Sequence, residues 1–192
     1  MHKGRLEAFS DGVIAIVITI MVLELKVPLQ ADLKALHGLL PVFLGYVLSF
    51  VNLGIYWNNH HHMLHITKHV NGGILWANQH LLFWLSLIPF STAWMSEHFE
   101  SLPTALYGLV LLMAAIAYMI LARTIVKSEG PDSLLAKALG RDTKGKVSLM
   151  LYLLAIPAAY IQPWISAGLY ILVALIWLVP DRRIERQLGM PD

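Results

Sequence analysis

The sequence has no cysteine and few charged residues. Without cysteine the chain can form neither disulfides nor thiol-based catalytic or metal sites, although this absence leaves the redox compartment open. Asp, Glu, Lys and Arg make up 14% of the 192 residues, whereas an ordinary soluble domain has about 25%. Because 57% of the residues are hydrophobic, this composition indicates a protein that crosses a membrane several times. The net charge of +2 is too small to indicate a nucleic-acid surface.

Several patterns that carry enzymatic or voltage-sensing chemistry are also missing. The chain contains no GxSxG or HExxH motif and no pair of aspartates within one apolar segment. It has no arginine-rich helix of the kind that senses voltage, and no internal repeat of the kind on which many transporters are built. We therefore expect a protein that is not an enzyme and that needs no cofactor.

Six apolar segments are long enough, or nearly so, to cross a bilayer as helices. A crossing needs about 20 residues, because a helix rises about 1.5 Å per residue and the hydrocarbon is about 30 Å thick. The sequence therefore predicts an all-α integral membrane protein with one six-helix domain over residues 1–192, whose spans cover 9–27, 36–57, 74–95, 104–126, 147–161 and 164–179. The last two form a tight hairpin, and the loop 127–146 contains a predicted short amphipathic helix across SLLAKALG.

Positive charges predict how these spans are oriented. With the N-terminus in the cytoplasm, all but two of the 14 Lys and Arg residues lie at or near cytoplasmic ends, and only Lys26 and Lys34 lie outside. The acids Glu7 and Asp11 interrupt the basic N-terminus, and no small-x-small cleavage site follows, so we expect a retained first span. The sequence thus predicts a multi-pass protein of the cell membrane with both termini in the cytoplasm.

One face of the first span carries a regular pattern, which we call the first-helix stripe. At about 100° per residue, its members fall within about 80° of one another; they are Gly12, Ile16, Thr19, Leu23 and Lys26. If several chains met along this face, it would present apolar rings and a hydroxyl ring, which is typical of a constriction in an ion path. The alternative is a packed helix seam in which Thr19 bonds a backbone carbonyl.

The polar end of the first span holds a carboxylate that needs a partner. A charge inside a membrane helix is costly unless it is paired, so Asp11 indicates either a functional site or a buried clamp that fixes helix packing. Asp11 lies beside the first-helix stripe rather than on it, which favours the clamp. Its candidate partners are Arg5, Asn78, His80 and the region of Asn58.

The motif of Arg5, Phe9, Ser10, Asp11 and Gly12 resembles the first helix of the transmembrane protein 175 potassium-channel family. The similarity extends over nearly the whole chain. It includes the full run RLEAFSDGVIAIVITIMVLELKVP, the region of Trp57 and His60–His62, and the stretches NQHLLFW and LIPFSTAW.

This resemblance implies a homotetramer of six-span subunits in a lipid bilayer, with the first helix of each lining a central pore. It implies passive conduction of K⁺ without a TVGYG filter, a motif that the sequence lacks. By the same resemblance Ile16 forms the narrowest ring, Thr19 supplies a hydroxyl next to it, and Leu23 forms the next ring outward. Glu24 would attract cations at the outer mouth, or would instead pair with Lys26.

Two alternatives to a potassium channel use the polar residues differently. A proton-permeable channel or a secondary ion transporter could be built on a cluster of Arg5, Asp11 and His80. Unitary currents would separate a channel from a transporter, because a transporter shows none.

The histidines after the second span are candidates for a metal site or a pH sensor. His62, His65 and His69 are spaced at i, i+3 and i+7, but no nearby carboxylate completes a site of three or four ligands. We therefore expect no bound metal and interpret the region of His60–His62 as interfacial. Proton sensing is the alternative, since histidine titrates near neutral pH.

Overall fold

Nine α-helices make up the ordered elements of the computed structural model, which describes residues 3–140 and 142–178. In chain order they are α1 Lys3–Leu23, α2 Leu33–Gly38, α3 Leu40–Ile66, α4 Gly72–Ser86, α5 Ile88–Glu97, α6 Ser101–Glu129, α7 Leu134–Leu139, α8 Thr143–Ala158 and α9 Pro163–Leu178. These residues include no β-strand, so the all-α prediction is confirmed. By length and composition, α1, α3 and α6 are long and apolar enough to cross a membrane, and α9 is a shorter apolar helix.

Prolines and capping side chains set several of the helix ends. Pro89 stands in the first turn of α5, where its missing N–H is tolerated, and it divides the predicted span 74–95 into α4 and α5 at Leu87. Asn71 caps α4 by accepting from the backbone N–H of Ile74 at 3.0 Å. The predicted helix across SLLAKALG is α7, which begins after a capping serine, Ser133.

Other helices differ from the predicted segments at their ends. The first predicted segment, 9–27, corresponds to α1, which begins earlier, at Lys3, and ends earlier, at Leu23. The second, 36–57, begins within α2 and corresponds mainly to α3, which starts at Leu40. This helix continues nine residues beyond the predicted end to Ile66 and therefore places the histidine stretch on a helix. The remaining segments, 104–126, 147–161 and 164–179, correspond to α6, α8 and α9, and residue 179 lies outside the described residues.

The centre of the fold is α6, which packs against α4, α8, α5 and α9. A close approach at Gly108 brings α9 onto α6, because a Cβ there would lie 2.1 Å from the Tyr170 hydroxyl oxygen. That hydroxyl donates to the backbone carbonyl of Thr104 at 2.9 Å. By contrast, α1 lies at the side of the bundle, where it packs on α3, α4 and α5.

The predicted orientation depends partly on residues outside the described ranges. These residues are Arg141, Arg182, Arg183 and Arg186. Four described cations that the sequence predicts on the cytoplasmic side lie near the end of α6 and the beginning of α8; they are Arg123, Lys127, Lys144 and Lys146. The placement of both termini in the cytoplasm therefore remains a prediction.

Candidate functional site

Other helices of the same chain pack against the inward face of α1 and cover it. Its buried residues recur every three or four positions, as expected for one face of a helix, and are Leu6, Ser10, Ile14, Val17 and Met21. Ile14 and Ser10 have no exposed surface. This face fixes the rotation of α1 against α3, α4 and α5 and thereby decides which residues point away from the bundle.

The first-helix stripe lies on the other face of α1 and is exposed. Ile16 retains 59% of its accessible surface and Leu23 retains 76%. Gly12 has no neighbouring atom within 4 Å of the position that a Cβ would occupy. The Thr19 hydroxyl donates to the backbone carbonyl of Ile16 at 3.0 Å, which leaves its oxygen lone pairs available as acceptors.

Small residues accompany the stripe on the exposed side of α1. Gly4, Ala8 and Gly12 follow one another at intervals of four residues, and all three are exposed. Ala15 is exposed one turn further along. Small residues at this spacing allow helices to approach closely inside a membrane. The sequence pattern of Gly4, Ala8 and Gly12 could have indicated this property, but the exposure of these residues is needed to interpret it.

The predicted stripe is interrupted at its far end, because α1 stops at Leu23. Lys26 lies beyond the helix and directs its ammonium to the carboxylate of Glu97, with 2.7 Å between Nζ and Oε1. The hydrogen bond between them raises the pKa of Lys26 and lowers the pKa of Glu97. Glu24 is exposed near this pair, and its role as an outer-mouth charge stays a prediction.

A buried chain of hydrogen bonds joins α1 to α3 and α4; we call it the inner polar cluster. The Ser10 hydroxyl donates to the Leu6 carbonyl at 2.8 Å and accepts from the Asn78 side-chain amide at 2.9 Å. The Asn78 carbonyl oxygen accepts from Nε2 of His60 at 2.7 Å, which assigns the Nε2–H form to that ring. Ser10, Asn78 and His60 are all at most 1% exposed, so the Asn78 side chain, which bonds both of the others, links them away from water.

Asp11 is held by a separate contact at the edge of the inner polar cluster. The indole Nε1 of Trp57 donates to the Asp11 carboxylate at 3.0 Å, and the same ring stacks on His61. Trp57 directly precedes Asn58, whose region the sequence analysis gave as a candidate partner of Asp11. The Asp11 carboxylate therefore contacts that region of α3. Arg5 is exposed and, within the described chain, forms no salt bridge with Asp11.

The structure therefore brings together some of the predicted clamp residues and separates others. Asn78 joins the inner polar cluster, although its partner on α1 is Ser10 rather than Asp11. His80 accepts a hydrogen bond from the Trp84 indole on its own helix at 2.9 Å and lies outside the cluster. The three residues proposed for a transporter site, Arg5, Asp11 and His80, are not linked by any of these contacts.

The remaining residue of the predicted motif, Phe9, is half-exposed and lies beside the first-helix stripe.

The sequence did not single out His60 and Trp57 for these roles. The buried positions His60, Met63 and Leu64 recur at helical spacing in α3, and this periodicity was the available signal. It was obscured because the polar run NNHHH suggested the end of a span.

The other histidines do not converge on a metal site. Within the described residues there is no group of three His, Cys, Asp or Glu side chains that could hold a metal ion. His65 stacks on His61, with ring centroids 6.1 Å apart. His69 lies beyond the end of α3 at Ile66, so the helical spacing that would align it with His62 does not apply.

Comparison with known proteins identifies relatives over nearly the full length. Residues 5–89 match the family described as endosomal/lysosomal potassium channel TMEM175. A protein from Chryseobacterium sp. (strain P1-3), named a potassium channel, is 55% identical over 189 residues, which cover 98% of each chain. Another protein named a potassium channel, from Chamaesiphon minutus, is 30% identical over 91% of this chain and 92% of its own.

A solved structure and a human protein extend the comparison. The crystal structure described as a lysosomal potassium-selective channel TMEM175 homolog from Chamaesiphon minutus superposes with a TM-score of 0.80. It is 29% identical and covers 93% of this chain and 97% of its own. The human protein named endosomal/lysosomal proton channel TMEM175 is 41% identical over 81 residues, which cover 35% of this chain and 16% of the human one.

Proposed function

The chain belongs to the TMEM175 family of potassium channels, and from this premise we propose that it conducts K⁺ passively through a pore lined by α1. This family is a class of ion channels rather than of enzymes. The observation that carries the proposal is the division of α1 into two faces. One face is filled by the chain itself, whereas Ile16, Thr19 and Leu23 are exposed along the other.

A pore built from α1 needs several chains, because each chain has a single copy of this helix. We propose a homotetramer in which α1 of each subunit meets the central axis. The exposed small residues Gly4, Ala8 and Gly12 support close contact between neighbouring copies of α1. Hydrophobicity alone would not favour such contact, since lipid tails are as apolar as the side chains.

In this pore the Ile16 ring is the narrowest point and the Leu23 ring is the next one outward. Isoleucine cannot coordinate a cation, so K⁺ crosses the Ile16 ring with part of its hydration shell. Thr19, one turn away, supplies a hydroxyl oxygen that replaces some of the lost water. The preference for K⁺ over Na⁺ is therefore modest, because no rings of carbonyl oxygens surround the ion.

The charged and polar residues near α1 support the pore without forming its narrow part. Glu24 raises the cation concentration at the outer mouth, and its charge is available there because Lys26 contacts Glu97 instead. The inner polar cluster, centred on Asn78, holds α1 at the rotation that turns Ile16 toward the axis. Asp11 acts as a structural anchor through Trp57.

The proposed topology places six crossings in the cell membrane. These are α1, α3, the α4 and α5 pair, α6, α8 and α9, with both termini in the cytoplasm. The excess of Lys and Arg on one side supports this orientation. The sharp outer connection between α8 and α9 has no charged residue, as expected for a loop outside the cell.

Reversal potentials in a reconstituted bilayer with K⁺ on one side and Na⁺ on the other test this proposal. We expect Ile16→Asn and Thr19→Ala to shift the reversal potential, since each changes a ring that the ion crosses. The matched control is Ile120→Asn, at a 42% exposed isoleucine of α6, a helix that packs mainly on α4, α5, α8 and α9. Unchanged selectivity in both α1 variants would refute the pore assignment.

Proton permeation through the same path is a second candidate, favoured by the name of the human relative. A hydrophobic ring that holds a transient file of water passes protons without coordinating them. Vesicles that contain a pH-sensitive dye and an imposed pH gradient would measure this flux. If Ile16→Asn changes proton flux but leaves the K⁺/Na⁺ reversal potential unchanged, protons rather than K⁺ are the principal ion.

A further inference from the structure

A cleft unrelated to α1 lies between α6 and the segment that runs from α7 into α8; we call it the basic cleft. It consists of two neighbouring hollows, of which the second is the more open. Both are lined by Met119, Leu139 and Asp142. Residues of α6 and of the beginning of α8 thus border both hollows.

One part of the basic cleft is strongly positive. Arg123 and Lys127 from the last turns of α6 and Lys146 from the first turn of α8 line the second hollow, and all three are exposed. The acidic residue in its lining is Asp142, whose carboxylate already caps α8 by accepting from the Gly145 backbone N–H at 3.2 Å. Three cations therefore face a single carboxylate that is engaged by its own helix.

The other part of the basic cleft is mainly apolar. Its lining includes Ile55, Ala115 and Met119, together with the ring of Trp177. The Trp177 indole donates to Ser148 at 2.8 Å, and the Lys144 ammonium lies over its ring, 6.0 Å from the centroid. A slot with an apolar wall and a basic rim matches a molecule that has both a hydrocarbon part and a negative charge.

We propose that the basic cleft binds an anionic phospholipid of the cytoplasmic leaflet. The phosphate would contact Arg123, Lys127 and Lys146, and an acyl chain would lie along Met119 and Trp177. The inference depends on the proposed topology, which places the end of α6 and the beginning of α8 at the cytoplasmic face. Basic pockets between membrane helices on this side are suited to anionic headgroups, and each nearby Lys or Arg strengthens the attraction.

Binding at this position would join two parts of the chain that are otherwise connected by a loop. The phosphate would bridge Lys127 on α6 and Lys146 on α8, and thereby hold the short helix α7 against the bundle. Because only the folded chain has this cleft, bound lipid would also stabilise the fold. The proposed ligand is a membrane lipid rather than free phosphate, because phosphate alone has no hydrocarbon part to contact the apolar part of the cleft.

Competition between two lipids tests the proposal directly. The detergent-purified full chain is mixed with equal amounts of phosphatidylglycerol and phosphatidylcholine, and bound lipid is counted by native mass spectrometry. We expect retention of phosphatidylglycerol over phosphatidylcholine. The double variant Arg123→Gln with Lys127→Gln should lower that preference by roughly tenfold or more, given the attraction that each basic residue contributes.

The matched control removes the same charge elsewhere on the same side. Lys137 and Lys68 are exposed and lie outside the lining of the basic cleft. The double variant Lys137→Gln with Lys68→Gln should keep the preference for phosphatidylglycerol. An equal loss in both double variants would show a general surface attraction and would overturn the proposal.

A second pair of variants tests the shared wall without removing a cation. Met119→Glu places a carboxylate between the two hollows and should abolish the preference, whereas Met119→Gln should retain most of it. Displacement of phosphatidylglycerol by millimolar inorganic phosphate would identify a simple anion site and overturn the lipid assignment. Lipid binding is measured without ion flux, so a chain that retains the lipid but passes no K⁺ refutes only the proposed conduction.

Discussion

The two faces of α1 have similar helical spacing but different neighbours. The inward face, represented by Ile14 and Ser10, is covered by α3, α4 and α5, and its polar groups find partners within the chain. The outward face, represented by Ile16 and Thr19, is exposed in the single chain. Lipid could cover an apolar surface of this kind. Exposure alone therefore does not assign a pore, and the pore proposed for α1 rests on exposure, small residues and family membership taken together.

The largest expected contrast is between two isoleucines that lie two residues apart. Ile14→Ala should destabilise the folded chain by about 2 kcal/mol, because it leaves a cavity in a completely buried position. We expect Ile16→Ala to change that free energy of unfolding by less than about 0.5 kcal/mol, as is usual for exposed positions. Unfolding in mixed micelles with increasing sodium dodecyl sulfate measures both values. Equal losses in the two variants would contradict the division of α1 into two faces.

A smaller effect is expected from the inner polar cluster. Asn78→Ala removes the amide that donates to Ser10 and the carbonyl oxygen that accepts from His60. We expect it to lower the unfolding free energy by about 1 kcal/mol. The control is Asn58→Ala, at an exposed asparagine of α3, which should have little effect. The same unfolding assay applies. No loss in Asn78→Ala would mean that the cluster does not fix the inward face of α1.

The edge contact between Asp11 and Trp57 should contribute less again. Trp57→Phe keeps an aromatic ring but removes the donor to the Asp11 carboxylate, and we expect a loss of about 0.5 kcal/mol. Trp76→Phe, at a tryptophan that is 78% exposed, is the matched control. If Asp11 were an ion ligand rather than an anchor, Trp57→Phe would change the K⁺/Na⁺ reversal potential instead of the unfolding free energy.

The smallest effect should come from the exposed pair of Lys26 and Glu97. The lowered pKa of Glu97 adds stability above the ordinary carboxyl value of 4.5, and this stability is lost as the pH falls through the folded-state pKa. The raised pKa of Lys26 adds stability below its ordinary value of 10.5, and this stability is lost as the pH rises through the folded-state pKa. The pair is therefore intact between these limits.

Glu97→Gln measures this contribution. The variant should be slightly less stable than the parent chain near pH 7, and the two should converge well below pH 4.5 or at about 1 M salt. Glu24→Gln, which removes an exposed charge near Lys26 that makes no ion pair with it, is the control and should have a smaller effect. A difference that persisted at low pH would contradict the role of the charge pair.

Periodicity correctly placed the first four members of the first-helix stripe on one face of α1, because helical geometry alone determines which residues share a face. It could not predict that α1 ends at Leu23. Beyond this end Lys26 contacts Glu97 at the end of α5, and periodicity within α1 gives no information about that contact. A contact between residues 71 positions apart depends on tertiary structure. The same applies to Asp11, whose partner lies on α3.

Local composition was a poorer guide to the ends of α3 and the predicted third span. The run NNHHH looked like a loop, but α3 continues through it because His60 finds a buried partner in Asn78. Pro89 lies in a segment whose hydropathy is continuous, and it nonetheless separates α4 from α5. The position of His60 inside α3 follows from its burial, which the local sequence does not show. The break at Pro89 follows from its missing backbone N–H, which a hydropathy average does not register.

The difference in length between α6 and α8 has a consequence for the surrounding membrane. The 29 residues of α6 extend about 43 Å, whereas the 16 residues of α8 extend only about 24 Å. If both cross, α8 is shorter than a hydrocarbon layer of about 30 Å, and the bilayer beside it must thin. Lipids with shorter acyl chains would then collect beside α8. The membrane around each subunit would therefore be thinner next to α8 than next to α6.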